Sequence, residues 1–303
     1  VQDVLGLGDG LWTSDKLEGR GGANWRKDGQ VEADARKTVS PSEDEEITTD
    51  DYGERLDGLI RARRDALYGV LNGIDVDEYN PGTDPMIYKN YTLKDISGKA
   101  ENKAKLQKDL GLKVDPDIPL VAMVGRLSNQ KGLDLVSSII PQVLDGNTQV
   151  VVLGTGDSQY EDTFRYYEAT YHGTFSACIQ YDEARAHRIY AGADMFLMPS
   201  KFEPCGLAQM IALRYGNIPI VRETGGLKDT VHAFVDYAGT GNGFTFASYN
   251  AHDMLHVIRE ACGVFRYNKP AWEKLMVQGM KSDFSWDSSA DRYIEVYHTA
   301  LGW

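Results

Sequence analysis

The feature of this sequence that most restricts its fold is an alternation of short apolar runs with amphipathic stretches from Tyr68 onward. The apolar runs lie at residues 68–71, 120–124, 149–153, 176–179, 195–198 and 218–221. Helix-like segments such as 131–144 and 184–192 separate them. Strands that are apolar on both faces and separated by helices are typical of a parallel sheet covered on both sides. The sequence therefore predicts an α/β fold with a doubly wound, Rossmann-like parallel sheet flanked by helices.

Residues 1–66 differ in character from the rest of the chain. The segment is rich in glycine at first and then dense in charge, with almost no apolar face across residues 24–37. Ser42, followed by four acidic residues, is typical of the capped start of a helix. Such a segment can bury little apolar surface. We therefore expect residues 1–66 to be a solvated region and residues 67–303 to form the folded domain.

The net charge argues against one large class of partner. The formal charge is −13, whereas a nucleic-acid backbone requires a compensating basic surface. A few cations inside a cleft are nevertheless enough to bind a small phosphorylated molecule. We expect no nucleic-acid partner.

The cysteines and histidines indicate neither a disulfide framework nor a metal centre. Cys178, Cys205 and Cys262 are too scattered for either, so a reducing cytoplasm is expected. His252 and His256 lie four residues apart on a predicted helix, but no HExxH pattern accompanies them, which favours a surface pair. No apolar run approaches the length of a transmembrane helix, and no signal-peptide pattern opens the chain. We expect a cytoplasmic protein without a metal, a cofactor or a membrane partner.

In a doubly wound fold, ligands bind beyond the carboxyl ends of the strands. The predicted strand 120–124 is followed by Gly125 and Arg126, and Lys131 lies five residues further on, where a helix would begin. A guanidinium and an ammonium in this arrangement could bind a diphosphate. Two surface cations at the start of a helix are the alternative interpretation.

The next loop of interest follows the strand at 195–198. Glu203 precedes Cys205 and Gly206, and a predicted helix at 208–215 follows. The carboxylate could accept hydrogen bonds from sugar hydroxyls, and the N–H groups at the start of the helix could bind an anion.

A third loop follows the strand at 218–221. In this loop Gly225 and Gly226 open another predicted helix, which would offer a second group of N–H donors. Because the carboxyl ends of parallel strands meet at one edge of a sheet, we expect all three loops to converge on one cleft.

Two other glycine motifs are not assigned to a cofactor. Gly154 and Gly156 lack the third glycine of a dinucleotide fingerprint, and a tight structural turn is favoured there. Gly98 and Lys99 do not form a phosphate-binding P-loop, because Leu93 occupies the position of its first glycine.

Six motifs of the chain together resemble the bacterial glycogen synthases and plant starch synthases. They are Val-Leu-Asn-Gly-Ile-Asp at 70–75, Gly-Lys-Ala-Glu-Asn-Lys at 98–103, Gly-Arg…Gln-Lys-Gly at 125–132, Tyr-Ala-Gly-Ala-Asp-Met at 190–195, Phe-Glu-Pro-Cys-Gly-Leu at 202–207 and Thr-Gly-Gly-Leu-Lys-Asp-Thr at 224–230. The resemblance runs from about Tyr68 to Trp303. It implies two Rossmann-like domains that face a cleft. It also implies metal-independent transfer of glucose from ADP-glucose to an α-1,4-glucan, with retention of configuration.

The resemblance implies roles for the phosphate-binding residues. Arg126 and Lys131 would neutralise the diphosphate leaving group, which is the main electrostatic requirement of this transfer. Gly225 and Gly226, with Thr224 before them, would offer N–H groups to the phosphates.

The resemblance also implies how the donor glucose is held. Glu203 would bind it, together with backbone amides near Cys205, Gly206 and Leu207. Asn72 would lie at the hinge between the two domains, near the sugar.

The resemblance implies that Tyr181 stacks on adenine, whereas its pattern alone favours a half-buried aromatic residue. Gln180 stands where the family usually has glycine, and Arg185 stands where a hydrophobic residue is usual. These two departures put nucleotide affinity in question.

The resemblance is weakest before residue 67. Residues 5–41 resemble only the end of the family's N-terminal, acceptor-binding domain, without its Lys-x-Gly-Gly loop and sugar-orienting histidine. Polar residues stand where the family has apolar or small ones, at Arg26, Asp28, Gln30, Arg36 and Lys37. We therefore interpret residues 1–66 as a remnant of that domain in a shortened protein with a redesigned surface. A natural fragment with unusual drift is the alternative.

These considerations leave two functions open. The first is the ADP-glucose-binding half of a glucosyltransferase, with little or no glucan synthesis by this chain alone. The second is a nucleotide-binding module or scaffold without catalysis. The sequence gives less support to a sucrose synthase or a mannosyltransferase, because Ile211 stands where those enzymes usually carry a second glutamate. The preference for ADP over UDP stays open. The last predicted helix carries Tyr293, Tyr297 and Leu301, and the surface that these residues pack against also stays open. Residues 1–66 and a second copy of the chain are the alternatives.

Overall fold

The computed structural model describes residues 18–19, 22–23 and 33–302. Its strands are β1 (Glu18–Gly19), β2 (Gly22–Ala23), β3 (Arg36–Thr38), β4 (Leu67–Gly69), β5 (Leu120–Val124), β6 (Gln149–Leu153), β7 (Phe175–Cys178), β8 (Met195–Met198), β9 (Ile218–Arg222) and β10 (Phe244–Phe246). Strands β5 to β10 form one parallel sheet in the order β10-β9-β8-β5-β6-β7. The predicted doubly wound parallel sheet is therefore confirmed.

The helices of the described chain are α1 (Pro41–Glu46), α2 (Asp57–Ala62), α3 (Gly98–Asp109), α4 (Leu133–Leu144), α5 (Ser158–Thr170), α6 (Glu183–Gly192), α7 (Ala208–Arg214), α8 (Gly225–Thr230), α9 (Ala251–Tyr267), α10 (Lys269–Lys281) and α11 (Trp286–Leu301). Of these, α3 to α10 contribute residues to the two cores that cover the faces of the main sheet. No helix in the described part of the chain is long and apolar enough to cross a membrane.

The two-sided burial of the sheet explains the continuous apolar runs. In β6, Val150 and Val152 point into a core shared with α4, α5 and α9, whereas Val151 points into the opposite core, shared with α3, α6 and α7. All three valines are buried. Alternate residues of one strand thus serve two different cores, and a polar residue at any of these positions would lose its hydration.

Two strand predictions require correction. The run at 68–71 was expected in the main sheet, but β4 pairs instead with β3 in a separate two-stranded parallel sheet. Conversely, β10 was not predicted, because Phe244–Phe246 contains only two apolar residues, on either side of a threonine. It nevertheless pairs with β9 and forms one edge of the sheet.

The described part of residues 1–66 is attached to the main domain more closely than expected. Helix α1 packs against α8. Its N-cap is Ser40, whose hydroxyl accepts from the N–H of Glu43, so the prediction of a helix capped at Ser42 is wrong. Ser42 lies within the helix, and its hydroxyl donates to Asp229 at 2.6 Å.

The expected solvated surface is present at Lys37 but not at Arg36. Arg36 is only 9% exposed, because β3 pairs along β4, whereas Lys37 is exposed and contacts the ring of Tyr293. Residues 1–66 thus partner Tyr293 of α11, while Tyr297 and Leu301 are exposed. Arg26, Asp28 and Gln30, on which the redesigned-surface hypothesis depends, lie outside the described residues.

Candidate functional site

The strand order of the main sheet locates the point where ligands bind in this class of fold. Strand β5 lies between β6 and β8, so the chain runs outward in both directions from the β5–β8 pair. Loops that follow these two strands diverge and leave a crevice at their carboxyl ends. The loops are 125–132 and 199–207, and both carry residues predicted from the sequence to bind the donor.

Backbone contacts hold these two loops together. The N–H of Lys201 donates to the carbonyl of Gln130 at 2.8 Å, and the Gln130 side chain donates to the carbonyl of Phe202 at 3.2 Å. Gly132 has a φ of 71° and approaches Pro199 so closely that an added Cβ would lie 2.1 Å from its carbonyl oxygen. Only glycine permits both the left-handed backbone and this approach. The side chain before it, Lys131, is thereby directed toward the second loop.

Lys131 and Glu203 form an ion pair inside the crevice. The ammonium lies 2.5 Å from Glu203 Oε2, and the Ser200 hydroxyl donates to the same oxygen at 3.0 Å. The Lys131 side chain is 23% exposed and the Glu203 side chain 9%. A pair this poorly hydrated depends on both partners being present.

Arg126 is the exposed cation of the crevice. No hydrogen bond or ion pair engages its guanidinium within residues 33–302. It lines a cavity together with Gly125, Lys131, Glu203 and Gly206. These five predicted residues, from two separate loops, therefore share one space, although the ion pair between Lys131 and Glu203 was not anticipated.

The start of α7 closes the same cavity. Leu207 and Ala208 line it, and Gly206, with a φ of 69°, turns the chain into the helix. The first N–H groups of a helix have no acceptor within it. Within the described chain, no backbone acceptor is assigned to the N–H groups of Gly206, Leu207 or Ala208. These donors are therefore available to an anion or to sugar oxygens.

A second cavity, of about 340 Å³, continues from the first. The two share Val124, Gly125, Arg126 and Leu153. Tyr181 lines the second cavity and is 88% exposed, so its ring offers a flat apolar face rather than core packing. Arg126 lies at the junction of the two spaces.

The predicted departures from the family pattern lie beside Tyr181. The Gln180 side chain lines the second cavity and donates to Asp182 at 3.0 Å. Arg185, by contrast, is not among the residues that line the cavity, and its guanidinium donates to the Cys178 thiol at 3.3 Å.

Cys205 and Asn72 contact each other, and neither is among the residues that line the first cavity. Cys205 is buried, and burial raises the pKa of its thiol despite a contact from the backbone N–H of Asn72. The Asn72 side chain lines a different groove, between the 67–72 segment and α11. Asn72 therefore contacts Cys205 but lines neither of the two cavities, and its expected position near the sugar stays a prediction.

The prediction that Gly225 and Gly226 offer N–H groups to phosphates requires correction. The N–H of Gly225 donates to Glu46 at 2.9 Å, and the N–H of Gly226 donates to backbone carbonyls of Glu203 and Pro204 at 3.1 Å. An added Cβ at Gly226 would lie 2.0 Å from the Cys205 carbonyl. In this structure the two glycines permit close packing of loops and do not present free donors.

Two residues that sequence reasoning missed lie around the site. Glu46 of α1 accepts from the Thr224 hydroxyl at 2.9 Å as well as from Gly225. His187 of α6 lines the second cavity, is 2% exposed, and lies four residues after Glu183 on the same helix face. That spacing was visible in the sequence, but the buried partner of His187 was not.

The predicted turn at Gly154 and the predicted surface pair at His252 and His256 agree with the structure. An added Cβ at Gly154 would lie 1.8 Å from the Gly125 carbonyl, which leaves no room for any other residue. Both histidines are exposed on α9.

Two family models match the chain. The model for glycosyl transferases group 1 matches residues 102–262, and the model for the starch synthase catalytic domain matches residues 1–62. Together they include the candidate site and the described α1 helix.

Individual proteins with high similarity are glycogen synthases. That of Clostridium novyi is 49% identical over 299 residues, which is 99% of this chain and 62% of the relative. That of Lachnospira eligens is 52% identical over 300 residues, or 99% of this chain and 63% of the relative. The chain therefore spans about three fifths of the length of these relatives.

Solved structures give the same grouping. The catalytic domain of Starch Synthase IV from Arabidopsis thaliana, bound to ADP and acarbose, superimposes with a TM-score of 0.90 at 36% identity, covering 97% of this chain and 62% of that one. An Anabaena protein in complex with UDP-glucose has a TM-score of 0.62 at 14% identity, covering 89% and 65%, which shows a shared fold.

Proposed function

Because this chain belongs to the group 1 glycosyl transferases, among the glycogen and starch synthases, we propose that it forms the nucleotide-sugar-binding half of a retaining glucosyltransferase. We propose ADP-glucose as the donor and an α-1,4-glucan as the acceptor. The observation that carries the proposal is the convergence of Arg126, Lys131 and Glu203 on one cavity that continues into a larger one beside Tyr181.

The two cations would stabilise the departing diphosphate. As the bond to the glucose breaks, negative charge grows on ADP, and fixed positive charge at that position lowers the barrier. A charge-assisted hydrogen bond contributes about 1.5–3 kcal/mol net. Arg126 is exposed and has no hydrogen-bond or ion-pair partner among residues 33–302, whereas Lys131 would have to share its charge between Glu203 and a phosphate. Arg126 would therefore make the first contact.

Glu203 and the start of α7 would hold the glucose. The carboxylate can accept from sugar hydroxyls once a phosphate attracts the Lys131 ammonium away from it. The N–H groups near Gly206 and Leu207 supply the complementary donors, so one small cavity offers both kinds of hydrogen-bonding group. The same N–H groups can alternatively donate to oxygens of the terminal phosphate.

Tyr181 would stack on the adenine base. An aromatic ring beside a base contributes about 1–3 kcal/mol and tolerates different bases, because each base has a π-face. Stacking alone therefore does not select ADP over UDP. The preference for ADP rests on the family resemblance and on the ADP bound to the starch synthase relative.

We further propose that this chain alone makes little or no glucan. Transfer requires an acceptor hydroxyl held in line with the anomeric carbon, and that positioning supplies much of the rate. Arg126 in the crevice is exposed, so water weakens its contact with a charged ligand. Glucose incorporation from ADP-glucose into glycogen should therefore be low, and should rise when the N-terminal domain of a relative is added in trans.

Isothermal titration calorimetry with ADP tests the donor site. We expect saturable binding, weakened at least about 100-fold in an Arg126→Ala/Lys131→Ala variant, since two charge-assisted contacts are lost. Arg259→Ala/Lys281→Ala is the matched control, because it removes the same charge from exposed positions on α9 and α10. Equal weakening in both variants would mean that net charge, and not the crevice, governs binding.

A nucleotide-binding module or scaffold without catalysis is the second candidate. It is favoured by the occupied N–H groups of Gly225 and Gly226 and by the existing partner of Lys131, which leave fewer free phosphate ligands than the sequence predicts. Absence of ADP binding by a folded chain would support the scaffold and refute the donor site.

A further inference from the structure

The second cavity contains a buried histidine nitrogen without a partner. His187 Nδ1 lies 2.7 Å from Asp84 Oδ2, and the Tyr215 hydroxyl donates to the same carboxylate oxygen at 2.6 Å. The other ring nitrogen, Nε2, is buried and makes no hydrogen bond in the described part of the molecule. Because a carboxylate only accepts, Nδ1 carries a proton toward Asp84, which leaves Nε2 as the ring nitrogen whose lone pair could bind a metal ion.

Two carboxylates lie around this imidazole. One ligand atom from each of Glu78, Glu183 and His187 lies within 4.8 Å of the others. Glu183 and His187 are four residues apart on α6 and so share one face of the helix. Glu78 comes from the loop packed against that face, next to Tyr79, whose ring stacks on His187 at 5.1 Å.

The two carboxylates of this cluster have no ion-pair partner among the described residues. Two carboxylates held this close repel each other, and a cation between them removes the repulsion.

We propose that Glu78, Glu183 and His187 form a binding site for a divalent transition-metal cation such as Zn²⁺ at the edge of the second cavity. Imidazole nitrogen with carboxylate oxygen is a donor set for Zn²⁺ and its neighbours, whereas Mg²⁺ and Ca²⁺ prefer oxygen alone. Asp84 supplies the hydrogen bond that a metal-ligating histidine usually makes through its other nitrogen.

The proposed site is also accessible to a cation from solvent. Both glutamates are exposed, so a hydrated cation can reach them, and their side chains can rotate to bring oxygens to about 2.0–2.2 Å from a zinc ion. His187 is fixed by Asp84 on one side and by the Tyr79 ring on its face. Three protein ligands leave at least one position for water.

Zinc titration of nucleotide-free protein tests this site. All proteins carry His252→Gln/His256→Gln, because that exposed pair, four residues apart on α9, could bind zinc on its own. In this background we expect one equivalent of Zn²⁺ by calorimetry. Glu78→Gln/Glu183→Gln should weaken binding at least about 100-fold, since even an outer-shell partner is worth about 10–100-fold.

The matched control is Glu260→Gln/Glu273→Gln, which removes the same charge from exposed positions on α9 and α10. The control should bind as the background does, and zinc should raise the melting temperature of both but not that of the Glu78/Glu183 variant. No zinc binding by the background protein, or a loss of less than about ten-fold relative to the control, would overturn the site. Because both glutamines are exposed, loss of the fold does not complicate the comparison, and circular dichroism verifies it.

Discussion

Lys131 and Arg126 carry the same charge in one cavity but differ in their partners, and this difference predicts separable effects of Lys131→Met and Arg126→Met. Lys131→Met leaves the Glu203 carboxylate, only 9% exposed, with the Ser200 hydroxyl as its remaining hydrogen-bond donor. A buried charge that loses its partner costs about 3–5 kcal/mol when fully desolvated. Since Lys131 itself is 23% exposed, water can partly replace it. We expect the free energy of unfolding to fall by about 1–3 kcal/mol.

Arg126→Met should change stability little. Its guanidinium is exposed and unengaged among the described residues, and surface substitutions of that kind stay within roughly 0.5 kcal/mol. Both variants should nevertheless weaken ADP binding, each by about 10–100-fold, which corresponds to one charge-assisted hydrogen bond.

Urea unfolding and calorimetry with ADP measure the two effects in the same preparations. The double variant Lys131→Met/Glu203→Gln is the control, because it removes the stranded charge and should recover most of the lost stability without recovering affinity. Equal destabilisation by Arg126→Met and Lys131→Met would refute the argument from partners. Unchanged ADP affinity in both would refute the assignment of the cavity.

Three further predictions concern other parts of the molecule. Tyr181→Ala should leave the melting temperature unchanged, because the ring is exposed, and should weaken ADP binding by about 1–3 kcal/mol in calorimetry; a changed melting temperature with unchanged affinity would contradict stacking. Burial lowers the pKa of Lys99 to about 7, whereas the pKa of a lysine in the unfolded chain is about 10.4. Between these two pH values the unfolded chain binds more protons than the native one. The free energy of unfolding therefore rises with pH in this range, by up to about 1.4 kcal/mol per pH unit. Urea melts across this range should show that slope reduced in Lys99→Met, and an identical slope would contradict it. Glu46→Ala should speed proteolysis within residues 33–66, because the carboxylate joins α1 to Thr224 and Gly225, and unchanged cleavage would show that other contacts hold the segment.

Much of the fold was predictable because the central strands are buried on both faces. β5, β6 and β8 match the predicted runs residue for residue, since each is long enough and apolar enough to show its two-sided burial. β4 was assigned to the wrong sheet, because the apolar run at 68–71 predicts a strand but does not indicate which other strand pairs with it. Its partner, β3, is a charged segment that no apolar pattern marks.

The candidate site was predictable at positions where the functional residues follow directly after a predicted strand. Gly125, Arg126, Lys131 and Glu203 follow strand ends that the sheet brings together, and the structure places them around one cavity. The N–H group of Gly225 was wrongly taken as free, because its acceptor, Glu46, is 179 residues away in the chain. Whether a donor at a helix start is free depends on such distant contacts, which local sequence does not contain.

The most direct test of the proposed donor site is a crystal structure of this chain with bound ADP. We expect the diphosphate within hydrogen-bond distance of the Arg126 guanidinium and the Lys131 ammonium, with Lys131 drawn away from Glu203 and the adenine against the Tyr181 ring. ADP bound elsewhere, or a crevice in which the Lys131–Glu203 pair persists without ligand at saturating ADP, would contradict the account.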